Sequence, residues 1–229
     1  MSKCEQCIVR QLNSLKTLTK EELSHLTSCK GDQIFKKGER IFEEGEHLKG
    51  VYCIKSGVCK LVKLSANGKD QIVKLTTKGD LLGERSTLSN EPTNLSAVAV
   101  TDMEVCFIPQ VEIINAVSTN ANFTIDMFKS MGKSIRHSDD LLVNMSQKTM
   151  KARLAATLLM LEDDFGKESD GSLSLVLTRE EVAGIVGTAT ESVIRLLSQF
   201  GKDKIIKLDG KHISILDYDM LRMVSDGLD

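Results

Sequence analysis

Thr178-Arg-Glu-Glu-Val-Ala-Gly-Ile-Val-Gly-Thr-Ala-Thr-Glu-Ser-Val-Ile-Arg-Leu-Leu197 decides the fold of the C-terminal part of this chain. Thr178 and Glu181 have capping-box spacing, in which a hydroxyl and a carboxylate satisfy each other's backbone N–H at a helix start. The apolar residues Val182, Ile185 and Val186 follow, and Gly187 ends the run. Thr188-Ala-Thr-Glu191 repeats the box ten residues on and predicts a second helix opened by Thr188. Two short helices joined by a glycine turn make a helix-turn-helix. In the second helix Val193, Leu196, Leu197 and Phe200 recur at i, i+3, i+4 and i+7 and face the core. Thr190, Glu191, Ile194, Arg195 and Ser198 then occupy the opposite face.

That opposite face carries base-reading chemistry. An arginine grips guanine O6 and N7 in the major groove, a glutamate accepts from cytosine N4, and an exposed isoleucine suits a thymine methyl. Downstream, Ile205-Ile-Lys-Leu208, Asp209-Gly210 and His212-Ile-Ser-Ile215 predict a hairpin with Asp-Gly as its turn, a wing. Lys204, Lys207 and Lys211 give it positive charge for phosphate contact. Thr178, Arg179 and Thr188, at the openings of the two helices, complete the predicted interface with double-stranded DNA. The competing reading is a small helical subdomain whose charges form a solvated face.

The 229 residues suit two modest domains, and the net charge of −2 is unlike that of a general nucleic-acid binder. The charge is local: Arg195 to Lys211 holds five basic residues against Asp203 and Asp209. No apolar run approaches the ~20 residues that span a bilayer. Met1 to Arg10 lacks a signal pattern, so cytoplasmic residence with no membrane partner is expected. Six cysteines in this length do not form a disulfide scaffold.

Three textures follow one another. Up to Leu26 the chain holds Cys4-Glu-Gln-Cys7 and a short helical run, Lys20 to Leu26, with Thr19 as N-cap. From Cys29 to Pro109 short apolar runs (Arg40–Phe42, Gly50–Ile54, Val58–Val62, Gln71–Leu75, Ala97–Val100, Glu104–Ile108) alternate with glycine turns, and Asn67-Gly68 marks a hairpin. That spacing predicts a jelly roll, sandwich or small barrel. From Phe123 to Thr149, Phe128, Met131, Ile135, Ser138, Leu142, Met145 and Thr149 form an a/d seam. The seam pairs with its twin across a two-fold axis or, in the alternative, packs on its own domain. The expected fold class is α+β: an N-terminal jelly-roll β-roll with its cysteine segment (1–118), a long central dimerisation helix (119–147) and a winged helix-turn-helix (148–229).

The β-roll glycines, Gly79-Asp-Leu-Leu-Gly83-Glu84, the central helix and the 177–197 motif together resemble the cyclic-AMP receptor protein and fumarate-nitrate reductase regulator (CRP/FNR) family over nearly the whole chain. The resemblance implies a cyclic-nucleotide-binding-like β-roll. It also implies a transcription-regulating homodimer on a near-palindromic operator, with RNA polymerase as a further partner. Glu191 and Arg195 match its base-reading pair, and Ile194 matches a position that varies among members. In the cyclic-nucleotide branch a Gly-Glu pair is followed about ten residues later by a phosphate-binding Arg-Ser. Here Gly83-Glu84 is followed by Asn94-Leu95-Ser96, with only Arg85 as a nearby cation, so ordinary cyclic-AMP binding is not expected at Gly83, Glu84, Arg85 and Asn94.

In the oxygen-sensing branch an iron–sulfur cluster sits on three N-terminal cysteines and one from the β-roll. Cys4, Cys7 and Cys106 match, whereas Asn13 stands where the remaining ligand falls, and Cys29 is the substitute if the chain folds back. Four thiolates equally suit zinc, and Cys4 with Cys7 suits a dithiol switch. Cys29, Cys53, Cys59 and Cys106 also read as small buried apolar residues. Histidines 25, 47, 137 and 212 show no ligand spacing, against a β-roll metalloenzyme, and no enzyme activity is expected. The alternative function is a cyclic-nucleotide-like ligand-binding module acting on a protein partner.

Overall fold

A computed structural model of the chain describes residues 8–29, 31–65, 68 and 70–228. Two short 3-10 turns, Ile8–Leu12 and Ser14–Thr17, lead into α1 (Lys20–Cys29). Thr19 opens α1 as expected: its Oγ1 accepts from Glu22 N, and its N donates to the Glu22 carboxylate. Eight strands follow: β1 (Gly31–Phe35), β2 (Arg40–Phe42), β3 (Gly50–Ser56), β4 (Cys59–Leu64), β5 (Asp70–Thr76), β6 (Leu81–Leu82), β7 (Ser96–Ala99) and β8 (Met103–Pro109). They form two four-stranded sheets, β1-β8-β3-β6 and β2-β7-β4-β5, the jelly roll expected from the spacing of apolar runs and turns.

Period-two alternation sorts each strand between two cores. Ile54 of β3 and Met103 and Val105 of β8 join Phe42, Cys59, Ala97 and Ala99 between the sheets. Val51 and Cys53 of β3 and Cys106 and Ile108 of β8 face the other way. There they pack with Val9, Leu15, Leu18, Leu23 and Leu26, and with Ile113, Phe123 and Met127. The N-terminal segment is thus docked on the outer face of the first sheet. Of the predicted Asn67-Gly68 turn only Gly68 is described, with φ 78°.

Two helices were absent from the sequence expectation: α2 (Glu84–Ser89) and α3 (Gln110–Thr119). Both are short and carry no long apolar period. Gly83 precedes α2 at φ 82°, a left-handed conformation that L side chains rarely adopt, so this turn favours glycine. The long helix α4 runs Ala121–Gln147. Thr149 is not a member of its seam; it is the N-cap of α5 (Met150–Phe165), its side chain accepting from Ala152 N, because the chain turns at Lys148.

The chain forms two compact units, 1–68 with 73–138 and 69–72 with 139–229. In the second, α5, α6 (Arg179–Val186), α7 (Thr190–Lys202) and α8 (Tyr218–Ser225) enclose a core of Leu154, Leu158, Leu161, Val182, Val193, Leu197, Phe200 and Leu221. The hairpin of β9 (Ile206–Asp209) and β10 (His212–Ile215) closes it.

Candidate DNA interface and effector site

The predicted capping box at Thr178 is present in both directions: Glu181 N donates to Thr178 Oγ1 at 3.1 Å, and Thr178 N donates to Glu181 Oε2 at 2.9 Å. Gly187 ends α6 with φ 71°. The second box does not form. Thr188 is drawn into closing α6, its N–H donating to Ala183 O at 3.1 Å, so the N-cap of α7 is Ala189, without a side-chain cap. Thr188 Oγ1 instead lies 2.9 Å from Met150 Sδ.

Helix α7 divides by face as its sequence requires. Val193, Leu196, Leu197 and Phe200 are buried, while Glu191, Ile194, Arg195 and Ser198 are exposed, and Thr190 is half-buried at the first turn. Ile194 is an apolar residue left 51% exposed on the same face as Glu191 and Arg195. Glu191, Ile194, Arg195 and Ser198 line one shallow groove with Gln199 and Lys202. Those last two were missed from sequence, although they continue the same face at i+8 and i+11 from Glu191.

The wing turns one residue later than expected. Asp209 pairs with His212, so the two-residue turn is Gly210–Lys211, with glycine first at φ 58°, and Asp209 is a strand residue. A two-residue hairpin accepts glycine at its first central position, which is why Gly210 and not Asp209 leads. Lys204, Lys207 and Lys211 are exposed around it. Arg179 joins wing and helix, its Nη2 donating to Gly210 O at 2.8 Å. Arg153, unmarked in the sequence reading, braces the motif from behind. Its Nε donates to Val186 O at 2.8 Å, and its Nη1 to Met145 O at 3.1 Å and Lys148 O at 3.0 Å, tying the end of α4 to α6.

The lysines yield a prediction. Lys204 sits at φ 58°, a left-handed position that asparagine tolerates. Lys204→Asn and Lys207→Gln are expected to weaken all DNA sequences alike, each flattening the slope of log affinity against log salt by about 1 for every bound copy of the residue. Salt titrations on a specific and a scrambled duplex check this, and loss confined to the specific duplex refutes it.

In the β-roll, Gly83, Glu84, Arg85 and Asn94 all line one cavity of about 60 Å³, together with Phe42, Leu61 and Lys74. Lys74, on β5, is a second cation that local sequence could not place there, since only strand pairing brings it across. The volume is far below the roughly 300–1,000 Å³ of small-molecule pockets. A neighbouring cavity of about 750 Å³ shares Arg85 and Asn94 and is walled by Leu88, Ile114, Met127 and Phe128.

Burial holds the Glu84 carboxyl above the usual carboxylate range, against the pull of Lys74 and Arg85. The folded chain therefore keeps this proton where the unfolded chain has lost it, and stability falls as pH rises from the ordinary carboxylate value through the folded one. Glu84→Gln is expected to raise the urea midpoint at about pH 8 and to match the parent near about pH 4. Equal midpoints at both pH values contradict this.

Cys53, Cys59 and Cys106 are buried. Cys4 and Cys7 lie outside the described residues, as does the side chain of Cys29. Among the described residues no three His, Cys, Asp or Glu side chains converge as a metal site. Within the same bounds, no helix is long and apolar enough to cross a membrane.

Comparison with known proteins bears on both units. Residues 32–120 match the cyclic nucleotide-binding domain model, and residues 152–224 match the Crp-like helix-turn-helix domain model. The fumarate and nitrate reduction regulatory protein of Vibrio cholerae is 30% identical over 226 residues, covering 94% of this chain and 87% of the relative. Its Escherichia coli K12 counterpart is 28% identical over 232 residues, covering 97% and 90%. In fold the chain is similar to FixK2 of Bradyrhizobium japonicum (TM-score 0.75, 24% identity, 85% of this chain and 96% of that one). It is also similar to a CRP/FNR-family regulator of Thermus thermophilus (TM-score 0.73, 21% identity, 86% and 98%). A β-roll followed by a long helix and a winged helix-turn-helix with a one-faced polar recognition helix, matched nearly end to end by such relatives, places this chain in the CRP/FNR family of DNA-binding transcription regulators.

Proposed function

We propose that this regulator works in the cytoplasm as a homodimer on a near-palindromic operator, contacting RNA polymerase there, and that its input is a thiol-based redox or oxygen signal rather than a cyclic nucleotide. The proposed division of labour is 1–118 for sensing, 119–147 for dimerisation and 148–229 for DNA. Glu191 and Arg195 read the half-site with Ile194 at its edge, Thr190 and Ser198 flank them, and Thr178, Arg179, Thr188, Lys204, Lys207 and Lys211 hold the backbone.

The observation that carries the output is the exposed face of α7, on which Arg195, Glu191 and Ile194 share one groove; these are residue types able to read guanine, cytosine and a thymine methyl. The input reading draws on the small cavity at Gly83, Glu84, Arg85 and Asn94, which as it stands has no room for a nucleotide. It draws also on buried thiols beside the docked N-terminal segment, Cys106 among them, a donor set that suits a soft metal or an iron–sulfur cluster. Such a cluster, when bound, supplies sensitivity to oxygen. The chain's own part is to hold it with Cys106 and the leading Cys4 and Cys7, and to pass a change in the β-roll to α4. A two-state shift in how α4 pairs would then reset the spacing of the two recognition helices.

Selection of bound duplexes from a random pool by the full chain, under air and without oxygen, tests both halves. The expected result is a two-fold site of half-sites one helical turn apart, enriched under one condition only. Enrichment of no sequence overturns the output reading. Equal enrichment in both, with cyclic AMP raising affinity, overturns the input reading.

A further inference from the structure

We infer that the cavity of about 750 Å³ between α2, α3 and α4 binds a small organic acid, with its carboxylate on Arg85 and an apolar alkyl or aryl body among the three helices. Such a site is a second input, separate from the thiol reading above. Side chains three or four apart on a helix point the same way. The cavity is built from such faces: Arg85 and Leu88 of α2, Ile114 and Val117 of α3, and Met127 and Met131 of α4. Among the described residues no strand contributes to it, and Gly83 and Glu84 line the smaller cavity and not this one. The two are different sites, although Arg85, Ser86 and Asn94 border both. All the walls of the larger one belong to the first compact unit, and its volume falls in the range of about 300–1,000 Å³ that small molecules occupy.

The lining decides what fits. Its floor continues the core, since Met127 is 2% exposed and Leu88 and Val117 pack on the same buried cluster. Ile114 and Phe128, 39% and 70% exposed, add apolar surface beside it. The thioethers of Met127 and Met131 adapt to irregular shapes. The charged residues of the lining are Arg85 and Glu91, both exposed, and among the described residues neither is in an ion pair. Arg85 is followed one turn later by Ser89, so guanidinium and hydroxyl donors share that face of α2, whereas Glu91 lies past the helix end at Asn90. A carboxylate accepts from both donors. Phe128 and Met131 also belong to the proposed seam of α4, so a molecule held here touches side chains that a second copy covers. Ligand binding and the pairing of two copies are thereby linked.

Calorimetric titration of the reduced full chain with decanoate, decanol and decylamine, each below the concentration at which it aggregates, tests the site. The expected result is one decanoate per chain, bound about fivefold more tightly than decanol, with decylamine weaker still. Shortening the acid is expected to weaken it by about fourfold for each methylene lost. Arg85→Gln is expected to keep decanol binding and lose the preference for decanoate. Ser118→Trp, at an exposed position of α3 on the cavity wall, is expected to close the site to all three probes while melting like the parent. If that variant melts low, Arg85→Gln carries the test. Decanol bound as tightly as decanoate by the parent, or decylamine more tightly, overturns the assignment of an acid. No uptake of decanoate, many molecules per chain, or binding that survives Ser118→Trp overturns the site. Decanoate bound by a monomeric Leu142→Glu variant and not by the parent makes the cavity a part of the seam that the second copy fills, and also overturns it.

Discussion

Replacing Arg195 with alanine is expected to lower affinity for the selected operator while leaving binding to unrelated DNA nearly unchanged. The side chain is exposed on α7, and its rotation about the helix is set by Val193, Leu196, Leu197 and Phe200, which are buried on the opposite face. A guanidinium so placed makes two parallel hydrogen bonds to one guanine, worth about 1–3 kcal/mol against the wrong base. A two-fold operator uses the residue twice, so the specific complex loses roughly twice that. Arg195→Lys is expected to recover charge but little specificity, because a lysine cannot present the planar fork. Fluorescence anisotropy on the operator and on a scrambled duplex, at one salt concentration, separates the terms. An equal drop on both duplexes would reduce Arg195 to a phosphate contact, and no drop on either would remove it from the interface.

Much of this molecule was legible because its signals are local. The capping box at Thr178, the glycine at 187 and the i, i+3, i+4, i+7 burial of α7 each depend on residues within one or two turns, and each is present as read. Where two local signals competed, the backbone decided. Thr188 has the right spacing to cap α7, but its N–H is needed to close α6, and a residue cannot serve both ends of a tight turn. Thr149 likewise has the heptad spacing of α4 yet caps α5. The wing slipped by one residue because two adjacent positions both favour turns, and strand pairing of Asp209 with His212 chose between them.

The sensory half depends on pairing across the sheet, which no window of sequence contains. Lys74 reaches the cavity at Glu84 only through its strand, and Cys53 meets Cys106 only through the β3–β8 register. Read singly, each buried cysteine looks like a small apolar residue. Only the cross-strand register shows that two of them share one face under Val9 and Asn13.

Leu142→Glu, or Ile135→Glu, is expected to split the protein into monomers and to abolish tight operator binding. On α4 the residues Phe128 and Ile135, in the first unit, and Leu142, in the second, are 70%, 64% and 69% exposed, apolar side chains at heptad spacing on one helix. Covering each such side chain stabilises by about 1.5–3 kcal/mol, and a symmetric pairing covers every one twice. In a two-fold seam an a/d residue lies close to its own copy, so one substitution sets two carboxylates near each other across the axis. Lost burial and like-charge repulsion then act together. A monomer engages one half-site alone and forfeits the local concentration that links the second, an effect of about 10²–10⁴-fold. Lys133→Glu, on an exposed polar position of the same helix, is the control and is expected to leave assembly unchanged. Sedimentation at micromolar concentration with a parallel gel shift reads both outcomes. If Leu142→Glu still sediments as a dimer, the stripe is not the seam and the two recognition helices must be paired by some other surface.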